Sequence, residues 1–520
     1  MKSILSFLCF IFFLHISMAS SLENGPVKIG WESTEITPDQ PFILAGQFHA
    51  RIAEGVLDPL TATVLVIESE ISDEKAILIS CDLVAIDDGV RENRSDHSFL
   101  QILKTKICNV IPEISEDDIV VNATHTHTAP RTGISNDWKN QYGVDMGDDI
   151  MTELEFSEYA SDKITEAVKS AWSNKKRGGI SFGLTHAVVG RNRIQTGFDG
   201  VNQMYGNTNR PELSHIQGYE DHSVQLLCTW DENETLTGMM INIPCPSQVS
   251  EQLYQATADF WHEIRLNLRQ EYGDDLFVLP QCGAAGDQSP HFMYDGAALT
   301  RMQKLQYPDL DSGRSSMALR KQIANDVTSA IGQIMPVMEQ NKEWNIVFQH
   351  EAEKIDVQRR LIGPEDLKMA EEGVKEWESR YKNELAKLDT LDKSQNKRWY
   401  VPATQAYSRM NWFKNVYKRA EIEKKDPKVT IQMHVIRIGD VAIATNPFEL
   451  YVDFGIRMKA RSKAVQTFIV QLAGGGTYLP PERAIKGGGY GSVASSNMVG
   501  PEGGQELVEH TIRMIDTLWE

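Results

Sequence analysis

The feature that most constrains the fold is a series of short apolar runs that alternate with helical and turn-rich stretches. Residues 62–69, 76–81 and 118–122 have the length and the β-branched composition of buried strands. Residues 224–230 and 237–243 flank a short polar turn and predict a β-hairpin. Such a mixture of strand and helix signals is typical of an α/β protein with several sheets.

Helical patterning completes this picture. Residues 255–270 have the periodicity of an amphipathic helix, and residues 504–519 predict a closing helix. The chain has 520 residues, of which 41% are hydrophobic and 24% charged, which is ordinary globular composition. We therefore predict a mixed α/β fold: one large domain, residues 20–520, in which β-sheets are flanked by helices.

A charged segment at about 364–425 interrupts the strand pattern. Its helical spacing predicts a helical hairpin inserted into the domain. The simplest interpretation is a solvated surface element without chemistry. The alternative is a substrate entrance lined by Trp399, Tyr400 and Trp412.

The amino terminus resembles a secretory signal. An early lysine precedes an apolar run at 4–16, and Ser17 and Ala19 have the spacing of a signal-peptidase site. A membrane anchor is the alternative, but the run is shorter than the ~20 apolar residues that a span requires. We predict a signal peptide at 1–19, no stable membrane span, and a secreted or periplasmic mature protein.

Net charge and cysteine content narrow the function further. A formal charge of -20 argues against a partner such as nucleic acid or anionic lipid, because both require basic surface. The five cysteines after residue 19 lack the dense even pattern of a disulfide scaffold. We expect a small-molecule or lipid substrate; the oligomeric state is not predicted by the sequence.

The strongest local motif is Asn122-Ala-Thr-His-Thr-His-Thr-Ala-Pro130, at the end of a predicted strand. If the segment stays extended, His125 and His127 point to the same side. Two such imidazoles suit a zinc ion. A pair of polar residues in a hydrogen-bonded loop is the alternative.

Three further segments carry candidate chemistry. A small-residue turn after an apolar run presents Asp287 and Ser289, either to a ligand or merely as a tight loop with a capping serine. Glu449 follows a strand, where it would offer an oxygen to a metal or interact with a helix N-terminus. Tyr478 and Tyr490 lie twelve residues apart in a glycine-flanked loop; loop tyrosines are usually packing residues.

Taken in this order, the segments resemble the neutral ceramidase family, which consists of zinc amidases that release a fatty acid from ceramide. The matching segments are 123–130 with its paired histidines, Asn192-Arg193, the Gly286–Pro290 turn, Pro447–Glu449, and the two loop tyrosines. The resemblance covers nearly the whole mature chain. In that family an immunoglobulin-like domain usually follows the catalytic domain, whereas here we predict the catalytic domain only.

The resemblance implies a role for each of these residues. It implies that His125, Glu449 and Tyr478 bind zinc. It also implies that Ser289 is the active serine and that His127, Arg193 and Tyr490 surround the scissile carbonyl. Ser289 would either attack the carbonyl or hold the attacking water.

One departure from the family pattern concerns a further zinc-binding histidine. The family has histidine before proline in the segment that here reads Asn242-Ile-Pro-Cys-Pro-Ser-Gln248. Cys245 would replace it, since thiolate is a good zinc ligand. His222 is a second candidate, because the predicted hairpin brings it beside Cys245. A third alternative is a structural cysteine with three remaining ligands or with no metal.

The sequence thus predicts an exported zinc-dependent amidohydrolase that cleaves the N-acyl amide of ceramide or a related lipid. A zinc hydrolase of the same fold acting on another amide, ester or carbohydrate derivative is the first alternative. An apolar entrance would favour acyl-chain substrates, and a polar, aromatic-rimmed cleft would favour sugars. A non-catalytic binding protein with a degenerate metal site is the second alternative.

Overall fold

The computed structural model describes residues 23–92, 94 and 97–520, and the predicted signal peptide lies outside these residues. The helices are α1 (Phe99–Val110), α2 (Trp138–Tyr142), α3 (Glu153–Asn174), α4 (Phe260–Tyr272), α5 (Gly296–Gln306), α6 (Met317–Gln340), α7 (Pro364–Leu388), α8 (Val401–Lys425), α9 (Val452–Arg461), α10 (Glu482–Gly487) and α11 (Pro501–Leu518). The strands are β1 (Val27–Glu35), β2 (Thr61–Ser69), β3 (Lys75–Cys81), β4 (Ile119–Ala123), β5 (Lys176–His186), β6 (Arg191–Asn192), β7 (Ile194–Gly197), β8 (Asn202–Met204), β9 (Leu213–Ile216), β10 (Ser223–Asp231), β11 (Leu236–Ile243), β12 (Phe277–Cys282), β13 (Gln288–Ser289), β14 (Phe348–Gln358), β15 (Lys428–Ile438), β16 (Val441–Thr445), β17 (Glu449–Leu450), β18 (Gln466–Val470) and β19 (Tyr478–Leu479).

The largest sheet has eight strands in the order β12-β11-β10-β5-β1-β2-β3-β4. Most neighbours are antiparallel, but β11 pairs with β12, and β3 with β4, in parallel. Side chains alternate between two buried faces: in β2, Val64 and Val66 point to one side and Leu65 and Ile67 to the other. Both faces are therefore covered, which is why these strands read as nearly continuous apolar runs.

A second sheet, β14-β15-β16-β18, packs face to face on the first. Their shared core joins Leu65 and Leu227 from the large sheet to Ile436, Ile443 and Phe468 from the small one. Helices cover the outer faces: α1 and α3 lie on β2 to β4, α4 and α6 on β10 to β12, and α9 and α11 on the second sheet. This helix–sheet–sheet–helix arrangement confirms the predicted mixed α/β fold.

The charged segment forms a helical hairpin of α7 and α8, with bounds that match the prediction. Pro364 occupies the first position of α7, where its missing N–H costs nothing. The two helices pack closely, because a Cβ at Gly373 would lie 2.5 Å from the ring of Phe413. Tyr381 on α7 donates a hydrogen bond of 2.6 Å to the carbonyl of Gly143, next to α2. The hairpin is thus tied to the body of the domain.

The helix predicted over 255–270 begins later, at Phe260. The preceding Asp259 accepts hydrogen bonds from the backbone N–H groups of Val249, Ser250 and Phe260. That carboxylate joins the helix start to the segment after β11. Residues 255–259 therefore form a loop instead of a helical turn.

No helix in the described ranges is long and apolar enough to cross a membrane. The five cysteines of these ranges, Cys81, Cys108, Cys228, Cys245 and Cys282, are free thiols, and all but Cys108 are buried.

Candidate active site

The candidate site lies where parallel strands end. The pairs β3/β4, β11/β12 and β16/β18 are each parallel, so the carboxyl ends of both partners lie at the same edge. Backbone hydrogen bonds join the segments that follow them: Ser247 N–H donates to the Thr124 carbonyl, and Gln471 N–H to the Cys282 carbonyl. Ligands of α/β sheets commonly bind at such an edge.

His125 and His127 follow β4 as predicted, but not in extended backbone. The strand ends at Ala123, and His125 has a φ of 64°, in the left-handed region. The two rings nevertheless converge, with their Nε2 atoms 3.4 Å apart. The period-two argument was therefore wrong for this segment, although both imidazoles reach the same place. A non-glycine residue in this region costs about 1–3 kcal/mol, which surrounding contacts must offset.

Hydrogen bonds orient both imidazoles. His125 Nδ1 lies 2.5 Å from the carbonyl oxygen of Val84, so it donates its proton there and directs Nε2 into the site. His127 Nε2 accepts a hydrogen bond of 2.6 Å from the Gln248 amide. Burial lowers the pKa of His127 well below its ordinary value, so this imidazole is neutral at pH 7.

Glu449 and Tyr478 are neighbours because β17 and β19 pair in parallel with these two residues in register. Glu449 Oε2 lies 3.5 Å from His125 Nε2. Burial acts to raise the pKa of Glu449, but contacts with His125 and Tyr478 and the charge of Arg193 outweigh it, and the pKa lies below its ordinary value. Glu449 is therefore an ionised carboxylate.

Two groups at the site, His125 and Glu449, are of donor types that suit a zinc ion. His125 Nε2 lies 3.5 Å from Glu449 Oε2, whereas the nearby His127 Nε2 already accepts a hydrogen bond from Gln248. Imidazole nitrogen and carboxylate oxygen are ordinary zinc ligands. Among the described residues, no group of three His, Cys, Asp or Glu side chains is disposed to hold a metal by itself. The candidate set therefore depends on Tyr478.

Arg193 lies buried behind these residues, between β6 and β7. Its Nη1 donates to the Tyr205 hydroxyl at 2.8 Å and to Gln248 Oε1 at 3.3 Å. Its Nη2 donates to the Gly286 carbonyl at 3.0 Å and to the Tyr478 hydroxyl at 3.3 Å. One guanidinium thus positions two tyrosines and brings positive charge to the site. His125, His127, Arg193, Glu449 and Tyr478 are called the reaction centre below.

Ser289 is connected to the reaction centre through a tyrosine. It lies in β13, in register with Arg191 of β6, and is fully buried. Its Oγ accepts hydrogen bonds from the His291 N–H at 3.1 Å and from the Tyr205 hydroxyl at 3.3 Å. No imidazole or carboxylate of the described chain is hydrogen-bonded to this oxygen. Ser289 therefore lacks a contacting base.

The turn before Ser289 approaches the reaction centre closely. A Cβ at Gly286 would collide with the carbonyl oxygen of Glu449, so only glycine fits. Asp287 accepts hydrogen bonds from the Asn192 amide at 2.7 Å and from the Val452 N–H at 3.0 Å. Burial raises the pKa of Asp287 to about 6. This carboxylate holds the turn in place instead of facing a ligand.

Cys245 lies in an apolar cluster with Phe260 and Trp261. Its thiol is 3.5 Å from the Pro246 carbonyl, and burial raises its pKa well above the ordinary value. Of the contacts in the described part of the chain, none joins Cys245 to His125, Glu449 or Tyr478. The structure therefore does not bring this predicted ligand together with the others.

His222, the second candidate for the missing ligand, is partly exposed and lies 3.2 Å from the Glu220 carboxylate. Gln248 is the residue of the 242–248 segment that reaches the reaction centre. It is fully buried, and its amide contacts both His127 and Arg193. The segment in which the family pattern has a histidine thus contacts His127 through the amide side chain of Gln248.

A second layer of polar residues supports His127. Glu251 lies 3.5 Å from His127 Nδ1 and 3.3 Å from His291 Nε2. His291 Nδ1 in turn is 2.5 Å from the Arg314 carbonyl. Arg51 donates to the carbonyl oxygens of both Glu251 and His127. Glu251 thus lies between His127 and His291, and Arg51 holds the backbone of the Glu251 and His127 segments together.

A cavity of about 500 Å³ opens onto the reaction centre, and His125, His127, Glu449 and Tyr478 line it. Tyr490 also lines the cavity, and its ring centroid is 5.6 Å from that of Tyr478. The structure therefore places Tyr490 beside Tyr478 of the reaction centre.

Helix α8 of the hairpin forms one side of this cavity. Seven residues on one face of α8 line it together, and we call them the hairpin wall: Ser408, Asn411, Trp412, Asn415, Lys418, Arg419 and Ile422. The Trp412 ring stacks on Tyr490, with centroids 5.7 Å apart. The hairpin is thus more than a solvated surface element.

The two other aromatic residues named for the entrance have a different place. Tyr400 is buried, and its hydroxyl accepts a hydrogen bond of 3.1 Å from the Ile52 N–H. Trp399 packs against the same small core cluster. Of the three aromatic candidates, only Trp412 lines the cavity.

Sequence reasoning missed three functional candidates: Tyr205, Gln248 and Glu251. Gln248 belongs to the 242–248 segment, but an amide side chain is not a conventional zinc ligand. Tyr205 follows the short strand β8 at a φ of 62°, in a polar stretch that carries no motif. Only the folded contacts identify them.

The comparisons agree with this architecture. A structure described as ceramidase complexed with C2 aligns with a TM-score of 0.63 and 13% identity, covering 95% of this chain and 75% of its own. The neutral ceramidase from Pseudomonas aeruginosa aligns with a TM-score of 0.63 and 15% identity, covering 95% of this chain and 74% of its own. No family model and no curated protein matches the chain. The chain has a neutral-ceramidase-like fold.

Proposed function

We propose that this chain is an exported zinc-dependent amidohydrolase in which His125, Glu449 and Tyr478 hold the metal. The observation that carries the proposal is the convergence of two imidazoles and an ionised carboxylate in a cavity at the strand ends, with His125 Nε2 3.5 Å from Glu449 Oε2. The fold shared with solved ceramidases supports it. Fold alone does not fix an activity, so the argument rests on the site.

Hydrolysis of an amide requires polarisation of the carbonyl, a nucleophile, and a proton for the leaving nitrogen. Zinc, when bound, would supply a Lewis acid that polarises the carbonyl. Arg193 and Tyr490 would stabilise negative charge on the carbonyl oxygen, since both approach Tyr478. His127 would relay the proton that the attacking water loses to the leaving nitrogen, since Gln248 and Glu251 hold its two ring nitrogens in place.

Ser289 has two possible roles in such a reaction. As a nucleophile it needs a base to take its proton, and no imidazole or carboxylate of the described residues contacts its Oγ. As an orienting group it needs a hydrogen-bond donor, and its own O–H provides one, because Oγ acts as the acceptor in its contacts with Tyr205 and the His291 N–H. We propose that Ser289 orients the attacking water.

The proposed reaction defines the substrate class as compounds that contain an N-acyl amide bond. The related solved structures are ceramidases by description, which makes ceramide the first N-acyl amide to assay. We propose amide hydrolysis as the reaction.

The experiment measures zinc and turnover in the mature chain. Zinc is counted by elemental analysis, and acyl release is followed on short-chain fluorescent ceramide and on a panel of simple N-acyl amines. The proposal expects about one zinc per chain and turnover that His125→Ala abolishes. His222→Ala, a histidine paired with Glu220 outside the reaction centre, is the matched control and should retain both.

Zinc without turnover of any amide would contradict the amidase assignment. A protein that contains no zinc and cleaves no amide would favour the binding-protein alternative instead.

A further inference from the structure

We propose that Glu251 and His291 are positioning residues for the reaction and that they share one proton. This proton lies between Glu251 Oε1 and His291 Nε2. It ties the turn that carries Ser289 to the ring of His127. The inference rests on the proposed amide hydrolysis and deepens it, since neither Glu251 nor His291 is among the described residues that line the cavity.

The contacts of His291 determine where one proton lies. Its Nδ1 is 2.5 Å from the Arg314 carbonyl oxygen, which can only accept, so Nδ1 carries a hydrogen. In a neutral imidazole the other nitrogen, Nε2, then has only a lone pair. Nε2 nevertheless lies 3.3 Å from Glu251 Oε1, and an ionised carboxylate oxygen is also an acceptor. The two atoms attract each other only if a proton lies between them.

The contacts of His127 fix its tautomer independently. Arg193 has only donors, so the Gln248 atom that it contacts at 3.3 Å is the carbonyl oxygen. The Gln248 amide nitrogen therefore faces His127 and donates to its Nε2 at 2.6 Å, which leaves the hydrogen of the neutral ring on Nδ1. Nδ1 lies 3.5 Å from Glu251 Oε2. This distance exceeds that of an ordinary hydrogen bond, so Glu251 acts on His127 through its charge.

His291 connects the shared proton to the Ser289 turn. Its backbone N–H donates to Ser289 Oγ at 3.1 Å, and its ring contacts the Tyr205 ring edge-on, with centroids 6.0 Å apart. Tyr205 in turn donates to Ser289 Oγ at 3.3 Å. A shift of the His291 ring would therefore disturb both groups that hold the serine hydroxyl.

This connection matters because two groups must act on one water molecule. In the proposed reaction Ser289 orients the water and His127 accepts its proton, and a misplacement of about 1 Å costs up to ~100-fold in rate. His127 becomes positively charged when it accepts that proton. The charge of Glu251 stabilises this state, as a carboxylate stabilises the imidazolium of a serine-hydrolase triad. Glu251 thus acts on the reaction through His127 and His291.

The first test locates the protons without turnover, by nitrogen-15 NMR of protein labelled selectively at histidine. In the wild type we expect a protonated Nδ1 and a non-protonated Nε2 at His127, and at His291 a protonated Nδ1 with an Nε2 that is at least partly protonated. Glu251→Gln should leave His291 Nε2 non-protonated, because an amide donates its own hydrogen to that nitrogen. His291 signals that Glu251→Gln leaves unchanged would overturn the inference.

The second test separates positioning from packing with two substitutions at His291. Asparagine places its amide near the position of Nδ1, so His291→Asn keeps a donor for the Arg314 carbonyl but does not reach Glu251. Glutamine places its amide near the position of Nε2, so His291→Gln reaches Glu251. His291→Asn should lower kcat about tenfold with KM and zinc content unchanged, and His291→Gln should recover most of that loss. Equal kcat in the two variants would contradict the role given to Nε2.

A double-mutant cycle measures the coupling. Glu251→Gln should lower kcat about tenfold, and adding His291→Asn should cost little more, because both substitutions break the same connection. Independent effects that multiply to about a hundredfold would overturn the inference, as would loss of zinc in Glu251→Gln. Glu220→Gln is the matched control, because Glu220 lies 3.2 Å from His222 outside the reaction centre. It should leave kcat and the His291 signals unchanged.

The wild-type assay separates this inference from the amidase proposal. If the wild type cleaves amides but the cycle is additive and the His291 signals do not respond to Glu251→Gln, the inference fails and the amidase proposal stands. If the wild type cleaves no amide, the amidase proposal and the positioning role fail together. The NMR spectra then still decide whether Glu251 and His291 share a proton.

Discussion

The reaction centre and the hairpin wall line the same cavity but are built differently. The reaction centre comes from segments at the ends of parallel strands, is buried, and is held by short hydrogen bonds such as that between His127 and Gln248 at 2.6 Å. The hairpin wall comes from one helix inserted between β14 and β15, and its members range from partly buried to exposed. The comparison separates the groups that we propose to perform chemistry from those that we propose to select a substrate.

This difference has a physical basis. Strand ends are fixed by both sheets, so small shifts there are resisted by the whole core. A helix that lies on the outside of the domain tolerates changes of surface residues at little cost in stability. Substitutions in the hairpin wall are therefore expected to change substrate preference, while the structure of the reaction centre stays constant.

The largest effect is expected from the proposed metal ligands. His125→Ala removes an imidazole that no neighbour replaces, so zinc should be lost and kcat/KM should fall more than ~100-fold. Elemental analysis and amide hydrolysis measure the two quantities. His222→Ala should change neither, and loss of zinc in that variant would instead identify His222 as a ligand.

Arg193→Lys should lower kcat by about 100-fold with zinc retained, since a lysine does not reproduce the bidentate contacts to Tyr205 and Tyr478. Steady-state kinetics with parallel metal analysis measure this. A wild-type kcat in this variant would contradict the role given to the guanidinium.

Within the 242–248 segment, Gln248 contacts the reaction centre, whereas Cys245 packs in an apolar cluster. Gln248→Ala should lower kcat by about tenfold, because His127 loses its hydrogen-bond donor. Cys245→Ala should keep zinc and kcat but lower the free energy of unfolding by about 1 kcal/mol, because the thiol fills an apolar cluster. Loss of zinc in Cys245→Ala would restore the cysteine-ligand hypothesis.

The smallest effect is expected from a substitution in the hairpin wall. Trp412→Ala removes the ring that stacks on Tyr490, which should raise KM about fivefold with little change in kcat or zinc content. Trp399→Ala is the control, since that ring packs in a core cluster and does not line the cavity. An equal effect on KM in both variants would remove the distinction between the hairpin wall and the rest of the hairpin.

The fold and much of the site followed from local sequence. Continuous apolar runs predicted strands such as β2, and helical spacing predicted α7 and α8, because both signals depend on neighbouring residues. The residues His125, Glu449, Tyr478 and Tyr490 were chosen through a family resemblance, and the fold brings them together around one cavity.

What the sequence did not predict depends on long-range contacts. The left-handed backbone at His125 is supported by Val84, 41 residues away. Gln248 rather than Cys245 faces the site because the backbone after β11 turns, and Asp259 holds that turn from the next helix. Tyr205 joins Ser289 to Arg193 across three separate segments. No spacing rule along the chain encodes such contacts.

The most direct test of the account is the metal content of the purified mature chain, measured before chelation, after chelation, and after zinc is added back, with amide hydrolysis assayed at each step. The account predicts about one zinc per chain, loss of metal and activity together, and recovery of both. Folded protein that contains no zinc, or that keeps its activity after the metal is removed, would contradict it.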